Sequence, residues 1–159
     1  MLALTKKTDY ALIALTHLAQ RLGAVISARE LSLASHVPLP ILTNILKTLA
    51  QAGLVSSERG AAGGYALART ASSITLHELI RTIEGPFHLV QCAPGAEERH
   101  REPCELEGCC VIRRPAHRVH DRMREFLESV TLADLVDEPR IGVGVPLGVR
   151  GTSVKELAS

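Results

Sequence analysis

Two prolines, Pro38 and Pro40, place the tightest constraint on this fold, because the residues on both sides of them favour helix. Proline lacks the N–H that a helix interior needs and keeps the preceding residue out of the helical conformation. Upstream, Ser27-Ala28-Arg29-Glu30 is a capping box, in which the serine accepts from a backbone N–H and the glutamate reaches back to the cap. It opens a helix that ends near Ser35, and Pro40 lies in the first turn of the next one. The segment predicts two helices joined by a tight turn.

Caps and apolar spacing indicate further helices before and after this pair. Thr8 is placed to cap a first helix over residues 9–22, which Gly23 would end. A second capping box, Thr75 to Glu78, opens a helix that ends near Glu84. The chain is therefore predicted to be mainly α-helical.

A glycine-rich hairpin follows the third helix. Residues 54–58 and 65–69 have the composition of short strands, and Arg59-Gly60-Ala61-Ala62-Gly63-Gly64 lies between them. Its glycines permit positive φ and close backbone approach. Helices joined by a tight turn also occur in hairpins that bind no DNA, but helix, turn, helix and then a basic hairpin is the order of a winged helix. A nucleotide-phosphate loop is disfavoured, because neither GxGxxG nor GxxxxGK[ST] is present.

A heptad pattern near the end of the chain predicts one long helix. Its apolar residues are spaced alternately four and three apart: Ile112, Ala116, Val119, Met123, Phe126 and Val130. A single domain of this size has little left to bury such a seam against, so we interpret it as a dimerisation helix. Packing of the seam on its own domain is the alternative. Residues 131–136 predict a short closing helix, and residues 137–159 a flexible tail.

Charge is distributed unevenly along the 159 residues. The net charge is only +1, but residues 1–70 carry seven Lys or Arg against three acids, whereas the remainder carries eleven against fourteen. The basic half is the one that could contact phosphate. No apolar run approaches the roughly 18 to 20 residues needed to cross a bilayer, and no signal peptide is recognised, so a cytoplasmic protein is expected. Paired carboxylates, a nucleophile motif and a cofactor fingerprint are missing, which argues against an enzyme.

Residues 92–110 contain every cysteine of the chain: Cys92, Cys104, Cys109 and Cys110. No C-x₂₋₄-C pair is present, which disfavours a structural zinc site, and adjacent cysteines seldom both bind one ion. Three well-spaced thiols remain: Cys92, Cys104 and one of the last two. Such a set suits an iron–sulfur cluster with a fourth ligand from elsewhere. Free thiols or a disulfide remain open, as do the nearby histidines as ligands: His88, His100, His117 and His120.

These motifs together resemble the Rrf2 family of winged-helix regulators, which includes IscR-like and NsrR-like branches. The similarity covers residues 2–136 and rests on TDYA in the first helix, LP..T..LK.LA.AGLV across the third, S.RG..GGY.LAR in the wing, EGP before the first cysteine and TLADL near the end. LPILTNILK and CELEGCC are most similar to the branch that regulates the SUF iron–sulfur assembly system. The resemblance implies a homodimeric transcription regulator whose affinity for DNA depends on a [2Fe–2S] or [4Fe–4S] cluster.

The resemblance also implies a set of cluster ligands. The three ligating cysteines of the family fall on Cys92, Cys104 and Cys110, and Cys109 is additional. IscR-like members have a histidine three residues after the last cysteine, where this chain has Arg113. NsrR-like members complete the cluster with an acid early in the first helix of the partner subunit, and Asp9 stands at the matching place. Asp9 is therefore the candidate fourth ligand.

The expected function is that of a DNA-binding repressor that senses cluster or redox status and controls iron–sulfur assembly genes. A nitric oxide sensor of the same family is one alternative, and an iron–sulfur redox or electron-transfer protein is another. The third helix is expected in the major groove, the wing arginine in the minor groove and the glycines near phosphate, on an operator with two-fold symmetry. The predicted DNA contacts are Ser27, Thr43, Asn44, Lys47, Arg59, Gly60, Gly63 and Gly64. Lys6 and Lys7 are predicted to contact the DNA backbone.

The domain organisation predicted from these elements has four parts. Residues 1–86 form a winged helix-turn-helix domain, and residues 87–110 form the cysteine-bearing loop. Residues 111–136 form the dimerisation helix and the closing helix, and residues 137–159 form the tail.

Overall fold

Six α-helices and one antiparallel hairpin make up the part of the chain that a computed structural model describes, namely residues 4–21, 23–60, 63–90, 92, 106 and 108–136. In chain order the elements are α1 (Lys6–Gln20), α2 (Ala28–Ser35), α3 (Leu39–Gln51), β1 (Val55–Glu58), β2 (Gly64–Leu67), a short 3₁₀ turn (Ala71–Ser73), α4 (Leu76–Glu84), α5 (Arg113–Ser129) and α6 (Leu132–Val136). The predicted fold class, mainly helical with a β-hairpin wing, is confirmed. No helix in these ranges is both long and apolar enough to cross a membrane. The predicted tail lies outside the described residues.

The first helix begins earlier than the sequence indicated. Thr5, not Thr8, is the N-cap of α1, and its hydroxyl accepts from the backbone N–H of Lys7 at 3.3 Å. Thr8 is fully buried, and its hydroxyl donates to Glu84. Thr5 and Thr8 lie within one helical turn of each other. Because Thr8 is buried, Thr5 is the residue that caps the helix.

Both predicted capping boxes form only half of their expected bonds. The hydroxyls of Ser27 and Thr75 each accept from the backbone N–H three residues on, at 3.1 Å in both cases. The glutamates of the two boxes do not reach back to the caps. Glu30 is paired with Arg21 at 2.6 Å, and Glu78 is paired with Arg69 at 2.7 Å. In each pair the arginine lies nine residues upstream, and its charge attracts the carboxylate more strongly than a backbone N–H does.

The turn between α2 and α3 depends on a residue that the proline argument did not single out. His36, the C-cap of α2, adopts a left-handed conformation with φ 56° and ψ 21°. Pro38 then precedes α3, and Pro40 lies in its first turn, as predicted. The chain therefore reverses over three residues, which sets α2 against α3.

An aliphatic core joins α1, α2, α3 and α4 to the hairpin. Its largest fully buried side chains are mostly leucines, among them Leu15, Leu31, Leu46 and Leu49. In the hairpin, Val55 pairs with Leu67 and Glu58 pairs with Gly64. The hairpin is fastened to the segment before α2 by two backbone hydrogen bonds between Ile26 and Tyr65, at 2.9 and 2.8 Å.

The long helix α5 packs on α4, and α6 returns the chain to the first domain. Leu132 is buried in the core, and its N–H donates to the carbonyl of Ile74 at 2.8 Å. The carboxylate of Asp134 accepts from both the N–H and the hydroxyl of Thr131, at 2.7 Å each. These bonds lower the pKa of Asp134 below its ordinary value. The chain after α5 is therefore fixed to the core, while one side of α5 stays in solvent.

Candidate nucleic-acid interface and cysteine loop

One surface concavity brings the third helix and the wing together. Lys47 of α3 lines it together with Arg59, Gly60, Gly63 and Gly64 of the hairpin. Lys47 lies twelve positions before Arg59 in sequence, and the fold places it on one surface with the hairpin residues. The structure therefore assembles five of the predicted DNA contacts into a single patch.

The outer face of α3 carries the remaining predicted contacts on that helix. Asn44 and Lys47 are exposed, whereas the leucines and isoleucine on the opposite side are buried. Thr43 is half-buried, and its hydroxyl donates to the carbonyl of Leu39 at 2.8 Å. Asn44 can therefore both donate and accept toward a ligand, whereas the hydroxyl of Thr43 is left as an acceptor.

Basic residues around this patch are available for phosphate. Lys6 and Lys7 are exposed in the first turn of α1, and Arg59 is exposed at the start of the wing loop. Neither these three nor Lys47 form an ion pair with another described residue. Ser27 is exposed, and its hydroxyl is already used as the cap of α2.

Steric packing within the protein requires glycine at Gly63 and Gly64, independently of any contact with DNA. A Cβ on Gly63 would lie 2.4 Å from the carbonyl oxygen of Glu58, and one on Gly64 would lie 2.4 Å from the carbonyl oxygen of Ile26. Real Cβ atoms do not approach backbone so closely. Gly60 differs, since it has φ 117° and open space around it. Contact between these glycines and phosphate stays a prediction.

A carboxylate links the start of α1 to the end of α4. One oxygen of Glu84 accepts from the N–H and the hydroxyl of Thr5, at 2.9 and 2.6 Å, and from the hydroxyl of Thr8. The hydroxyl of Thr5, that of Thr8, the N–H of Thr5 and the charge of Lys7 hold the pKa of Glu84 below its ordinary value. The sequence analysis did not assign this residue a role, although the EGP motif contains it. Its partners lie 76 and 79 residues away, so no local pattern could have identified them.

Three of the four cysteines lie within the described residues, and all three are free thiols. Cys92 and Cys110 are half-buried, whereas Cys109 is exposed and its Sγ lies 3.7 Å from the carbonyl oxygen of Leu106. Cys110 lies in the turn that leads into α5, and its carbonyl accepts from the N–H of Arg113 at 3.4 Å. Cys104 lies outside the described residues.

The part of the chain that the structure describes does not by itself assemble a metal site. Among the described residues, no three His, Cys, Asp or Glu side chains are grouped so that they could hold an ion. Asp9 is exposed in the first turn of α1. His88, His117 and His120 each have a buried ring nitrogen without a hydrogen-bond partner among the described residues, and His100 lies outside them.

Three of the six residues in the predicted heptad seam are exposed, on α5 or at its N-cap. The side chains of Ile112, Val119 and Phe126 are 61%, 48% and 63% exposed, and Val111 beside them is 89% exposed. The opposite side of α5 faces α4, where His120 is buried. The other three seam residues, Ala116, Met123 and Val130, are half-buried, so packing of part of the seam on its own protomer stays open.

Comparisons with known proteins agree with this architecture. Residues 4–138 match the Rrf2 family, described as iron-dependent transcriptional regulators. A curated helix-turn-helix regulator of Rhodobacter capsulatus, described as rrf2-like, is 31% identical over 137 residues, which is 84% of this chain and 91% of that protein.

Two solved structures are similar in fold and sequence. CymR, the global cysteine regulator of B. subtilis, has a TM-score of 0.64 at 31% identity, over 86% of this chain and 97% of that one. IscR of T. potens has a TM-score of 0.63 at 29% identity, over 85% of this chain and 86% of that one. Members of the matched family regulate transcription by binding DNA and are not enzymes. The protein described here therefore belongs to the Rrf2 family of transcriptional regulators.

Proposed function

We propose that this chain is a homodimeric repressor whose affinity for DNA is controlled by an iron–sulfur cluster bound by the cysteine loop. The observation that carries the proposal is the position of Cys110, a half-buried thiol in the turn before α5, in a chain of the Rrf2 family. The first N–H groups of a helix are unpaired and favour negative charge. They can stabilise a thiolate that ligates a cluster.

The DNA-binding half of the proposal is supported by the patch that α3 shares with the wing. Asn44 and Lys47 face the major groove in this arrangement, and Arg59 reaches the adjacent minor groove. Lys6, Lys7 and Ser27 contact the phosphate backbone on either side. Because Lys6, Lys7, Lys47 and Arg59 have no intramolecular ion pair among the described residues, their charges are free to displace counterions from DNA.

The dimer is supported by the exposed seam on α5. An apolar stripe of this kind on a helix seldom stays in water, and its heptad spacing matches the packing of a second, identical helix. A two-fold axis through the seam repeats the DNA-binding patch once, so the operator should have two-fold symmetry. One protomer supplies only one of the two helices that the seam requires, so a second copy of the chain completes it.

The donor set fits an iron–sulfur cluster better than zinc. Cys92 and Cys110 are half-buried, which shields bound sulfur from water, whereas Cys109 is exposed and its Sγ lies near the carbonyl oxygen of Leu106. When bound, the cluster supplies an oxygen-, nitric-oxide- and redox-sensitive centre of either the [2Fe–2S] or the [4Fe–4S] type. We assign its thiolates to Cys92, Cys104 and Cys110 and its fourth ligand to Asp9 of the partner subunit.

The proposed targets are iron–sulfur assembly genes, on the basis of the LPILTNILK and CELEGCC segments. A nitric-oxide-sensing repressor would use the same residues and differs only in the signal. Arg113, at the position where IscR-like members have histidine, favours a ligand set closer to the NsrR-like one. An electron-transfer protein is disfavoured by membership of a family of regulators.

The test is anaerobic purification with visible absorption and assays of iron and sulfide. Wild type should be coloured and contain iron and sulfide, and Cys92→Ala, Cys104→Ala and Cys110→Ala should each lose both. Cys109→Ala is the matched control, because its thiol is adjacent yet unassigned, and it should keep them. A colourless wild type after anaerobic reconstitution would refute the cluster. Loss of iron in Cys109→Ala but not in Cys110→Ala would reverse the assignment of the third thiolate.

A further inference from the structure

A cavity of about 220 Å³ lies between α4, α5 and the segment that follows α4. It shares none of its lining residues with the concavity between α3 and the wing. Pro86 and Phe87 form an apolar part of its wall, and the rest is made by arginine and histidine side chains. None of these residues has a part in the proposed recognition of DNA or in the assigned ligand set.

The charge of the cavity is positive. Arg81 and Arg124 both line it, and the side chain of Arg81 has no ion-pair partner among the described residues. Nε of Arg124 lies 3.8 Å from the carboxylate of Glu128, which also lies 3.7 Å from Nδ1 of His77. The nearby carboxylates are Glu128, which pairs with Arg124, and Asp121, whose charge acts on His120, and neither pairs with Arg81.

Histidines in the same wall have unused hydrogen-bonding capacity. His120 is only 3% exposed, and its ring stacks on Phe87, with centroids 5.6 Å apart, and on His88, with centroids 6.3 Å apart. Nδ1 of His120 and Nδ1 of His88 are buried and have no hydrogen-bond partner in the described part of the chain. Buried polar atoms are normally paired, and leaving one unpaired is destabilising.

The surroundings favour an anion over a metal ion as the missing partner. Burial lowers the pKa of His120, and His88, Arg124 and His117 add to the effect, against the opposing charge of Asp121. A metal cation would be repelled by the two arginines, and the described residues offer no group of three donors for one. An anion is attracted by the same arginines and can accept from the N–H of a neutral imidazole.

We propose that this cavity binds a small organic carboxylate. Arg81 and Arg124 hold the carboxylate group, since guanidinium matches its geometry with paired N–H donors, and His88 and His120 add further donors. Pro86 and Phe87 contact the hydrocarbon part, which a bare inorganic oxyanion lacks. Pockets for drug-sized ligands measure about 300–1,000 Å³, so this smaller cavity takes a short-chain acid and excludes a nucleotide.

The test uses the full chain in a chloride buffer at constant pH and needs neither DNA nor a cluster. Succinate is titrated while the ring signals of the histidines are followed by NMR, with sodium chloride at matched ionic strength as the reference. Signals of His88 and His120 should shift and saturate at millimolar succinate, whereas those of His17 and His36, on α1 and after α2, should not. Success or failure here leaves the cluster proposal unaffected, since that proposal concerns iron content.

Matched variants locate the site. Arg81→Gln and Arg124→Gln should each weaken succinate binding about tenfold, the effect of losing one charge-assisted contact. Arg122→Gln, a change of equal charge on the exposed face of α5, should leave the affinity within about twofold. Circular dichroism checks that each variant is folded, and the two arginine variants report independently of each other.

Three outcomes would overturn the proposal. The first is the absence of saturable shifts in folded wild type. The second is equal weakening by Arg122→Gln, which would mean binding to general positive charge. The third is equally strong saturation by sulfate or phosphate, which would assign the cavity to inorganic oxyanions instead of carboxylates.

Discussion

Gly64→Ala should detach the wing from the segment before α2. The new Cβ would lie 2.4 Å from the carbonyl oxygen and 2.6 Å from the carbonyl carbon of Ile26, and 2.9 Å from the backbone nitrogen of Ser27. All three atoms belong to backbone that is fixed by the capped start of α2. The strand must therefore move, and it takes Tyr65 with it.

The magnitude follows from the bonds that such a movement breaks. Two backbone hydrogen bonds join Tyr65 to Ile26, and each contributes about 1 kcal/mol net. Adding the strain of an overpacked site, about 1–3 kcal/mol, and allowing for partial relaxation gives about 2–4 kcal/mol of lost unfolding free energy. That is a large part of the roughly 5–15 kcal/mol typical of a domain.

Urea unfolding at a fixed protein concentration measures this loss, and fluorescence anisotropy with operator DNA measures its functional consequence. The affinity of folded Gly64→Ala for DNA should fall, because Arg59 moves with the wing. Ser57→Ala, on the paired strand and exposed, should stay within about 0.5 kcal/mol of wild type. An unfolding free energy of Gly64→Ala within the same margin of wild type would refute the close approach of residue 64 to Ile26. Equal losses in both variants would mean that any substitution in the hairpin destabilises it.

Three further predictions concern the DNA contact, the seam and the link between α1 and α4. Arg59→Ala should weaken DNA binding about tenfold and reduce the salt slope by about one, whereas Arg118→Ala on α5 should do neither. Phe126→Glu should convert the dimer into a folded monomer, as measured by light scattering. A dimer that persists in this variant would exclude the seam as the interface, and so would dissociation by Arg122→Glu. Wild type should exceed Glu84→Gln in stability near pH 7, and urea titrations should show the difference closing below about pH 4, since the pKa of Glu84 is lowered on folding.

The sign of that pH dependence is fixed by the hydrogen bonds. Donors from Thr5 and Thr8 favour the ionised carboxylate of Glu84, so the folded protein holds a proton there less tightly than the unfolded chain. The contribution to stability is present above the unfolded pKa and is lost as the pH falls through the folded one. A difference that grows toward low pH would contradict the assignment.

Local sequence patterns predicted the elements because caps, prolines and glycines act over a few residues. Thr75 opens α4 as expected, and α5 contains Pro115 in its first turn. The same reasoning failed where a distant partner competes. The glutamates of both capping boxes were expected at their caps and are paired with arginines, and the buried Thr8 is held by Glu84.

The candidate site was predictable to the extent that one element carries it. The outward face of α3 follows from its apolar spacing, so Asn44 and Lys47 could be identified as exposed. The proximity of Lys47 to Arg59 depends on how the hairpin packs, which no periodicity encodes. The cavity beside His120 was not predictable for the same reason, because α4 and α5 are joined only by tertiary packing.

Glu84 gives the proposed switch a physical route. It lies eight positions before Cys92, and its carboxylate is bonded to the first turn of α1, which contains Lys6, Lys7 and Asp9. A change in the position of the cysteine loop would be resisted or transmitted at this carboxylate before it reached any residue that faces DNA. Coupling between two sites requires an element that both can bias, and α1 is the proposed element, because Glu84 contacts its first turn. If the proposed cluster also uses Asp9 of the partner subunit, the first turn of α1 is fixed twice. Within its own protomer it is bonded to Glu84, and through Asp9 it is bonded to the cluster of the other protomer. Loss of either contact should loosen Lys6 and Lys7, which are proposed to contact phosphate.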